Sequence, residues 1–346
     1  MKARQSNIEL LRIVLMCMIV LGHLVIHGYP SSDFLIDQSG SNSNLWKIFA
    51  YVLCSGAVDC FVFISGYYGI RTCGKSVFSY VFTIVYYAII TYVVYHFYVL
   101  QQGLDSLFTW DVFCQIVNVG GRWWFVFAYM GVMLLAPFIN AGFEKLDRKE
   151  QLLSVVAMFL IYSSGIRYIT HSYIEFLPMM LFMYMLGRYL RNNPVKFLYK
   201  YSGWIYLFCV CCLLLQQYFF VLTENSDRNI MIYVASHANP ICILIGVSLF
   251  YTFQKMQIPQ SRCINLIASG TFAAYLITDG FLREKINGWI VRHIDYGFVS
   301  LLVISIGIVI LCSLFDMIKR YILQSIDNQL LITPPPCKRN AGVNRL

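Results

Sequence analysis

Residues Asn7–Gly28 read NIELLRIVLMCMIVLGHLVIHG, a stretch long and apolar enough to cross a bilayer as a helix, for which about 20 such residues suffice. It nevertheless carries Glu9, Arg12, His23 and His27. Ionisable groups inside a membrane span are costly, so they face a bundle interior or a wet cavity. Arg12 and His23 are eleven residues apart, a rotation of roughly 1,100°, or about 20° past three full turns. Both side chains therefore lie on one helix face, separated along the axis by about 16 Å. Glu9 sits one turn below Arg12, and His27 one turn above His23. The plain alternative has Arg12 snorkelling to the headgroups and His23 as a packed histidine. The depth of His23 argues against that for the histidine.

Working outward, the whole chain has this character. Of its 346 residues 59% are hydrophobic and only 12% charged, against about 25% charged in ordinary soluble domains. Hydropathy places about ten spans, at 8–28, 47–70, 77–100, 123–140, 151–167, 174–190, 203–223, 237–255, 264–282 and 297–318. Sustained apolar runs of that length predict helices, whereas a barrel needs alternation. The expected fold is all-α: a polytopic membrane domain over 1–332, followed by a disordered tail at 333–346 (TPPPCKRNAGVNRL). The first run is too long for a signal-peptide core and lacks a cleavage pattern.

Loop charges set the orientation. Eighteen of the 26 Lys and Arg residues fall at the termini and on alternate loops, seven fall on the other side, and Arg12 lies within a span. The positive-inside rule then puts both termini in the cytoplasm. The net charge of +9 is thus mostly a topology signal, and no basic run with interleaved aromatics points to nucleic acid. Eight of the twelve cysteines fall in apolar runs, where cysteine acts as a small hydrophobe. No CxxC pair and no HExxH occurs, so no metal site is expected. No internal repeat and no inverted pair of broken helices is legible.

Further polar groups punctuate the spans. The second contains VDCFVFISGYYGIR, with Asp59 near mid-membrane, Ser65 and Gly66 near the inner surface, and Arg71 and Lys75 just beyond. A membrane-buried aspartate points to function. Ser-Gly also serves simply to let helices approach. Arg12, Arg71 and Lys75 can hold phosphates as ion pairs, although ordinary positive-inside charge explains Lys75 equally well. The fourth span opens with GGRWWFVFAYMGVMLLAP, placing Arg122, Trp123 and Trp124 at the outer face. Long polar outer segments at 29–46 and 101–122 adjoin these tryptophans. Aromatic faces there fit an interfacial belt or a sugar platform. The ninth span holds TFAAYLITDG, with Asp279 near its outer end. His23, Asp279 and Arg122 are expected at one depth. A histidine with a carboxylate partner is the minimum kit for a general base.

These motifs together resemble the membrane acyltransferase family known as acyltransferase-3. The family's Arg-(ten residues)-His signature stands as Arg12 and His23, and its Phe-rich run into Ser-Gly-Tyr stands as FVFISGYYG. Its Trp-aromatic helix ending in Pro stands as WWFVFAYMGVMLLAP, and its late Tyr-Leu-Ile-His motif stands as AAYLITDG. Thr278 occupies the place of the usual histidine and cannot titrate near neutral pH. The resemblance implies a bacterial inner-membrane protein that moves an acetyl or other short acyl group from cytoplasmic acyl-CoA to a hydroxyl of an extracytoplasmic or lipid-linked sugar. It implies Arg12, Ser65, Gly66, Arg71 and Lys75 on the acetyl-CoA, and Arg122, Trp123 and Trp124 on the polysaccharide acceptor. It implies His23 as base or transient acyl carrier, with Asp279 or Asp59 orienting it, and no metal. The alternative from another class is a secondary transporter or flippase of a glycan-related substrate, which shares the intramembrane charges.

Overall fold

A computed structural model describes residues 5–29, 45–101, 123–163, 176–222, 239–281, 283–294 and 297–329. The regular elements among them are all helices: α1 (Ser6–Gly28), α2 (Leu45–Cys54), α3 (Ala57–Tyr68), α4 (Gly74–Gln101), α5 (Trp124–Lys145), α6 (Arg148–Ser163), α7 (Phe176–Asn192), α8 (Lys196–Leu222), α9 (Pro240–Lys255), α10 (Arg262–Ala268), α11 (Thr271–Thr278), α12 (Arg283–Ile294) and α13 (Phe298–Gln329). Among the described residues six segments are long and apolar enough to cross a membrane: Ser6–Gly28, Leu45–Tyr68, Gly74–Tyr98, Trp124–Lys145, Lys196–Phe219 and Phe298–Gln324. The protein is a multi-pass membrane protein. Its outward faces carry large bare apolar side chains, such as Phe138 at 76% and Trp204 at 75% exposure, which only lipid would cover without aggregation. The tail 333–346, Arg122 and most of both long outer segments lie outside the described residues.

Local chemistry sets the helix ends. Asp147 and Glu150 form a reciprocal capping box before α6, each backbone N–H donating to the other's carboxylate at 2.8 Å. Asn239 caps α9, accepting from the Ile241 N–H at 2.9 Å, and Pro240 follows at the first helical position. Two expected spans prove to be broken. The second divides into α2 and α3 at Gly56, whose φ of +77° suits glycine and whose missing side chain admits the Cys242 carbonyl of α9. The ninth divides into α10 and α11 at Ser269–Gly270, where a Cβ on Gly270 would strike the Ser313 backbone of α13 at 2.7 Å. Close backbone approach, invisible to hydropathy, causes both breaks.

Hydrogen bonds fix which helix ends lie together. Tyr68, ending α3, donates to Gln5 before α1 at 2.8 Å. Asn7 donates to the carbonyls of Phe253, Gln254 and Met256 at the end of α9. The Ser261 N–H before α10 donates to Ser6 at 2.8 Å. Lys255 reaches the Lys200 carbonyl of α8, and Asn193 after α7 reaches Gln151 of α6. At the opposite end Gly28 packs against Asn287 and Val291 of α12. The spans thus alternate in direction, and the end shared by the start of α1 and the end of α3 is the one rich in Lys and Arg.

Helix α1 is the hub. It packs on α2, α3, α9, α10, α11, α12 and α13, and Leu11, Leu15, Val20, Leu24 and Val25 along it are fully buried. Lipid tails are as apolar as leucine, so tight packing and polar contacts must hold such a bundle. Helices α3 and α7 supply the first: a Cβ on Gly66 would lie 2.1 Å from the Tyr184 carbonyl oxygen, and one on Gly187 would lie 2.6 Å from that of Phe63. Helices α4 and α13 supply the second. Asp316, 2% exposed, pairs with Lys319 and Arg320 at 2.9 Å each and accepts from the Tyr87 hydroxyl at 2.9 Å. Lys319 also donates to Thr83, and Arg320 to Ser269 at the α10–α11 break. Lys319 and Arg320, counted in the sequence as loop charges, therefore belong to an intramembrane ion cluster. Asp316→Asn leaves Lys319 buried without its counter-ion, and breaking such a pair costs about 3–5 kcal/mol. The thermal midpoint of the purified protein should fall markedly, and Asp316→Asn with Lys319→Met should recover part of the loss. An unchanged midpoint in the single variant would contradict a stabilising role.

The eight cysteines read as small hydrophobes are free thiols. Cys73, which precedes α4, is disulfide-bonded.

Candidate active site

The polar ladder of α1 connects two regions. At the Lys/Arg-rich end, Glu9 accepts from Arg12 at 3.1 Å, one turn apart on α1. The Arg12 side chain keeps 37% of its surface exposed and lies within electrostatic reach of Tyr68 on α3 and Tyr129 on α5. Ser65 donates to the Phe61 carbonyl at 3.1 Å, leaving its oxygen to accept from the Tyr129 hydroxyl at 3.0 Å. Arg71 and Lys75 are exposed at this same end, beyond α3. Arg12 and Ser65 thus meet at Tyr129, between α1, α3 and α5, while Arg71 follows α3 at the same end, where its neighbour Ile70 bonds to Tyr184 and Asn140.

Gly66 is differently used. Its face is filled by the backbone of α7, as above, so helix packing accounts for its missing side chain. The surrounding contacts anchor that crossing. Tyr184 donates to Asn140 at 2.9 Å and accepts from the Ile70 N–H at 3.0 Å. Asn140 in turn donates to the Ile70 carbonyl.

At the far end of the ladder lies His23. Its ring stands 5.7 Å from that of His27 and 5.9 Å from that of Tyr275 on α11. Nδ1 is shut off from water and has no hydrogen-bond partner, a rare state for a buried nitrogen. Neither Asp279 nor Asp59 bonds that atom. Asp279, 3% exposed, closes α11 and accepts from Arg283 of α12 at 3.2 Å. It lies within electrostatic reach of His27, and Arg283 lies within reach of His23. The structure therefore gathers His23, His27, Tyr275, Asp279 and Arg283. Asp59 is fully buried in the first turn of α3, against Gly246 of α9 and beside Cys60 and Cys242. Thr278 turns its hydroxyl to the Ala274 carbonyl at 2.8 Å, a bond within its own helix.

Trp123 is buried at 1% exposure in the core that also holds Val20, Leu24 and Ala274, and its Nε1 has no partner. Trp124 instead packs on Phe176, ring centroids 4.2 Å apart. Between the two ends of the ladder runs a chain of rings. Tyr129 stacks on Phe125 at 5.4 Å, Phe125 meets Tyr275 edge-on at 5.8 Å, and Tyr275 neighbours His23. Phe272 stacks on Tyr275 at 6.0 Å and on Tyr80 at 5.7 Å. His23, Tyr80 and Tyr129 lie deep in the bundle yet keep part of their surface uncovered.

A model of the family described as an acyltransferase domain, acyltransferase-3, matches residues 5–317, nearly the whole chain. The chain belongs to the acyltransferase-3 family. It is an acyltransferase, and its matched region takes in both ends of the α1 ladder. No curated protein and no solved structure gives a match. Within this acyltransferase, sequence reasoning missed Tyr275, Arg283 and the ring chain. Tyr275 stands four residues before Asp279, one helical turn away, and that spacing was the available signal; Arg283 opens the next helix, and no helical spacing points to it.

Proposed function

We propose that this acyltransferase-3 protein moves an acetyl or other short acyl group from cytoplasmic acyl-CoA to a sugar hydroxyl outside the membrane or on a lipid-linked precursor, in a bacterial plasma membrane. Both termini then lie in the cytoplasm, on the Lys/Arg-rich side, and about ten spans cross or enter the bilayer. The observation that carries the reading is His23: a deep imidazole with an unengaged Nδ1, joined by a chain of rings to the partly exposed guanidinium of Arg12.

Arg12 and Arg71, with Lys75, hold the phosphates of the donor. The reach of the extended pantetheine arm, on the order of 15–20 Å, matches the rise of about 16 Å from Arg12 to His23. Ser65 and Tyr129 offer hydroxyls where the arm enters. At the far end His23 takes the proton of the acceptor hydroxyl as its oxygen attacks the thioester carbonyl. The C–S bond breaks as the ester C–O bond forms, and the imidazolium returns the proton to the departing thiolate. In the two-step form the His23 nitrogen carries the acyl group first and the hydroxyl takes it second. Asp279 and Arg283 set the charge beside the imidazole. Asp59, Arg122, Trp123 and Trp124 complete the reading, Asp59 as a second carboxylate for the imidazole and the others as the acceptor's seat.

Arg12→Ala tests the donor end. Removing a charge that meets phosphate should weaken acetyl-CoA binding by about 10-fold or more, since charge-assisted hydrogen bonds contribute about 1.5–3 kcal/mol. Titration of the detergent-purified protein with acetyl-CoA measures this. An unchanged affinity would remove Arg12 from the donor site.

A further inference from the structure

We propose that Phe125 and Tyr275 form the end wall of the acyl-donor passage and restrict the acyl group delivered to His23 to acetyl; this rests on the reading above. A thioester carbonyl placed for reaction at His23 must point its alkyl end past the imidazole. Two rings bound that space. His27 stands 5.7 Å away and Tyr275 5.9 Å away between centroids, the separation of aromatic neighbours in contact. Rings in contact leave little room between them, so a methyl group asks the least displacement of them and each further methylene asks more.

Tyr275 is braced against moving. It is 6% exposed, Phe272 stacks on one side of it at 6.0 Å, and the edge of Phe125 meets it at 5.8 Å. Phe125 is itself held by Tyr129, stacked at 5.4 Å with an interplanar angle of 12°. Tyr129 is tied to Ser65 by the 3.0 Å hydrogen bond. Phe125 is thus the ring on which the entry half and the reaction half of the wall both rest. It has no polar atom and does not neighbour His23, so its part in transfer is shape alone.

The test uses membranes from the native host, which carry the enzyme's own acceptor, with full-length wild type, Phe125→Ala, Phe125→Leu or Tyr275→Phe. Acetyl-, butyryl- and hexanoyl-CoA are supplied, and CoA thiol release is measured above that of membranes lacking the protein. A hydrophobic pocket discriminates by about 10–200-fold for a methylene it cannot fit, and wild type should prefer acetyl over butyryl in that range. Phe125→Ala should shrink the preference by about tenfold by raising butyryl transfer, with Phe125→Leu between the two. Tyr275→Phe keeps the ring and should keep the preference. An unchanged acetyl-to-butyryl ratio in both Phe125 variants would overturn the proposal. Equal loss of all donors in both would overturn it too, making Phe125 a structural support. Absence of CoA release from every donor in wild type is a different failure, which would remove acyl-CoA as the donor and the proposal with it.

Discussion

Replacing His23 with alanine is expected to lower acyl transfer by about 10²–10⁴-fold, the usual contribution of a positioned acid or base, with the protein still present in the membrane at normal level. Two features separate this outcome from simple damage. The Nδ1 atom has no hydrogen-bond partner, so its removal orphans no other buried group. The ring meets His27 and Tyr275 through tilted contacts, at 5.7 and 5.9 Å, that carry no hydrogen bond. His23→Gln should be as inactive as His23→Ala, because an amide cannot take the proton. Transfer rates normalised to immunoblotted protein measure both. Wild-type rates in either variant would deny His23 any chemical part.

The second large effect is on stability and comes from Gly66. A methyl group there would sit 2.1 Å from the Tyr184 carbonyl oxygen and 2.8 Å from its Cα, and neither atom is a flexible side-chain end. The only relief is to part α3 from α7. That would strain the bonds Tyr184 makes to Asn140 and Ile70 and the one from Arg191 to the Tyr67 carbonyl, at 3.0 Å. Overpacking commonly costs about 1–3 kcal/mol and at backbone contacts more. Gly66→Ala should therefore reduce the amount of protein in the membrane and its thermal midpoint. Gly187→Ala should do likewise, and the pair should be less than additive because both act at one crossing. Fluorescence-detected size exclusion after heating measures each. A Gly66→Ala protein with the wild-type midpoint but weakened acetyl-CoA binding would move this glycine from the packing interface to the donor site.

These residues show what a linear reading reaches. The polar face of α1, the Glu9–Arg12 pair and the alternation of spans depend on helix geometry and local hydropathy, both written in the order of residues. The role of Gly66 depends on which helix lies opposite, and FVFISGYYG does not name α7. The breaks at Gly56 and Gly270 were missed for the same reason, since the Cys242 carbonyl and the Ser313 backbone that require them are distant in sequence. Lys319 and Arg320 were counted with the loops because hydropathy scores their charge and not the Asp316 one turn earlier that holds them. The ring chain from Tyr129 to Tyr275 escaped notice because aromatic residues in a span count only as apolar. Asp279 was legible as a buried acid, while its ion pair with Arg283 required the turn between α11 and α12.

The most direct measurement of the central claim supplies isotopically labelled acetyl-CoA to the Lys/Arg-rich face of sealed vesicles carrying the native acceptor, and follows label that mild base releases from saccharide. The account predicts base-labile label on saccharide with wild type and none above background with His23→Ala. Label appearing equally with both, or label that stays on saccharide after mild base, would contradict it.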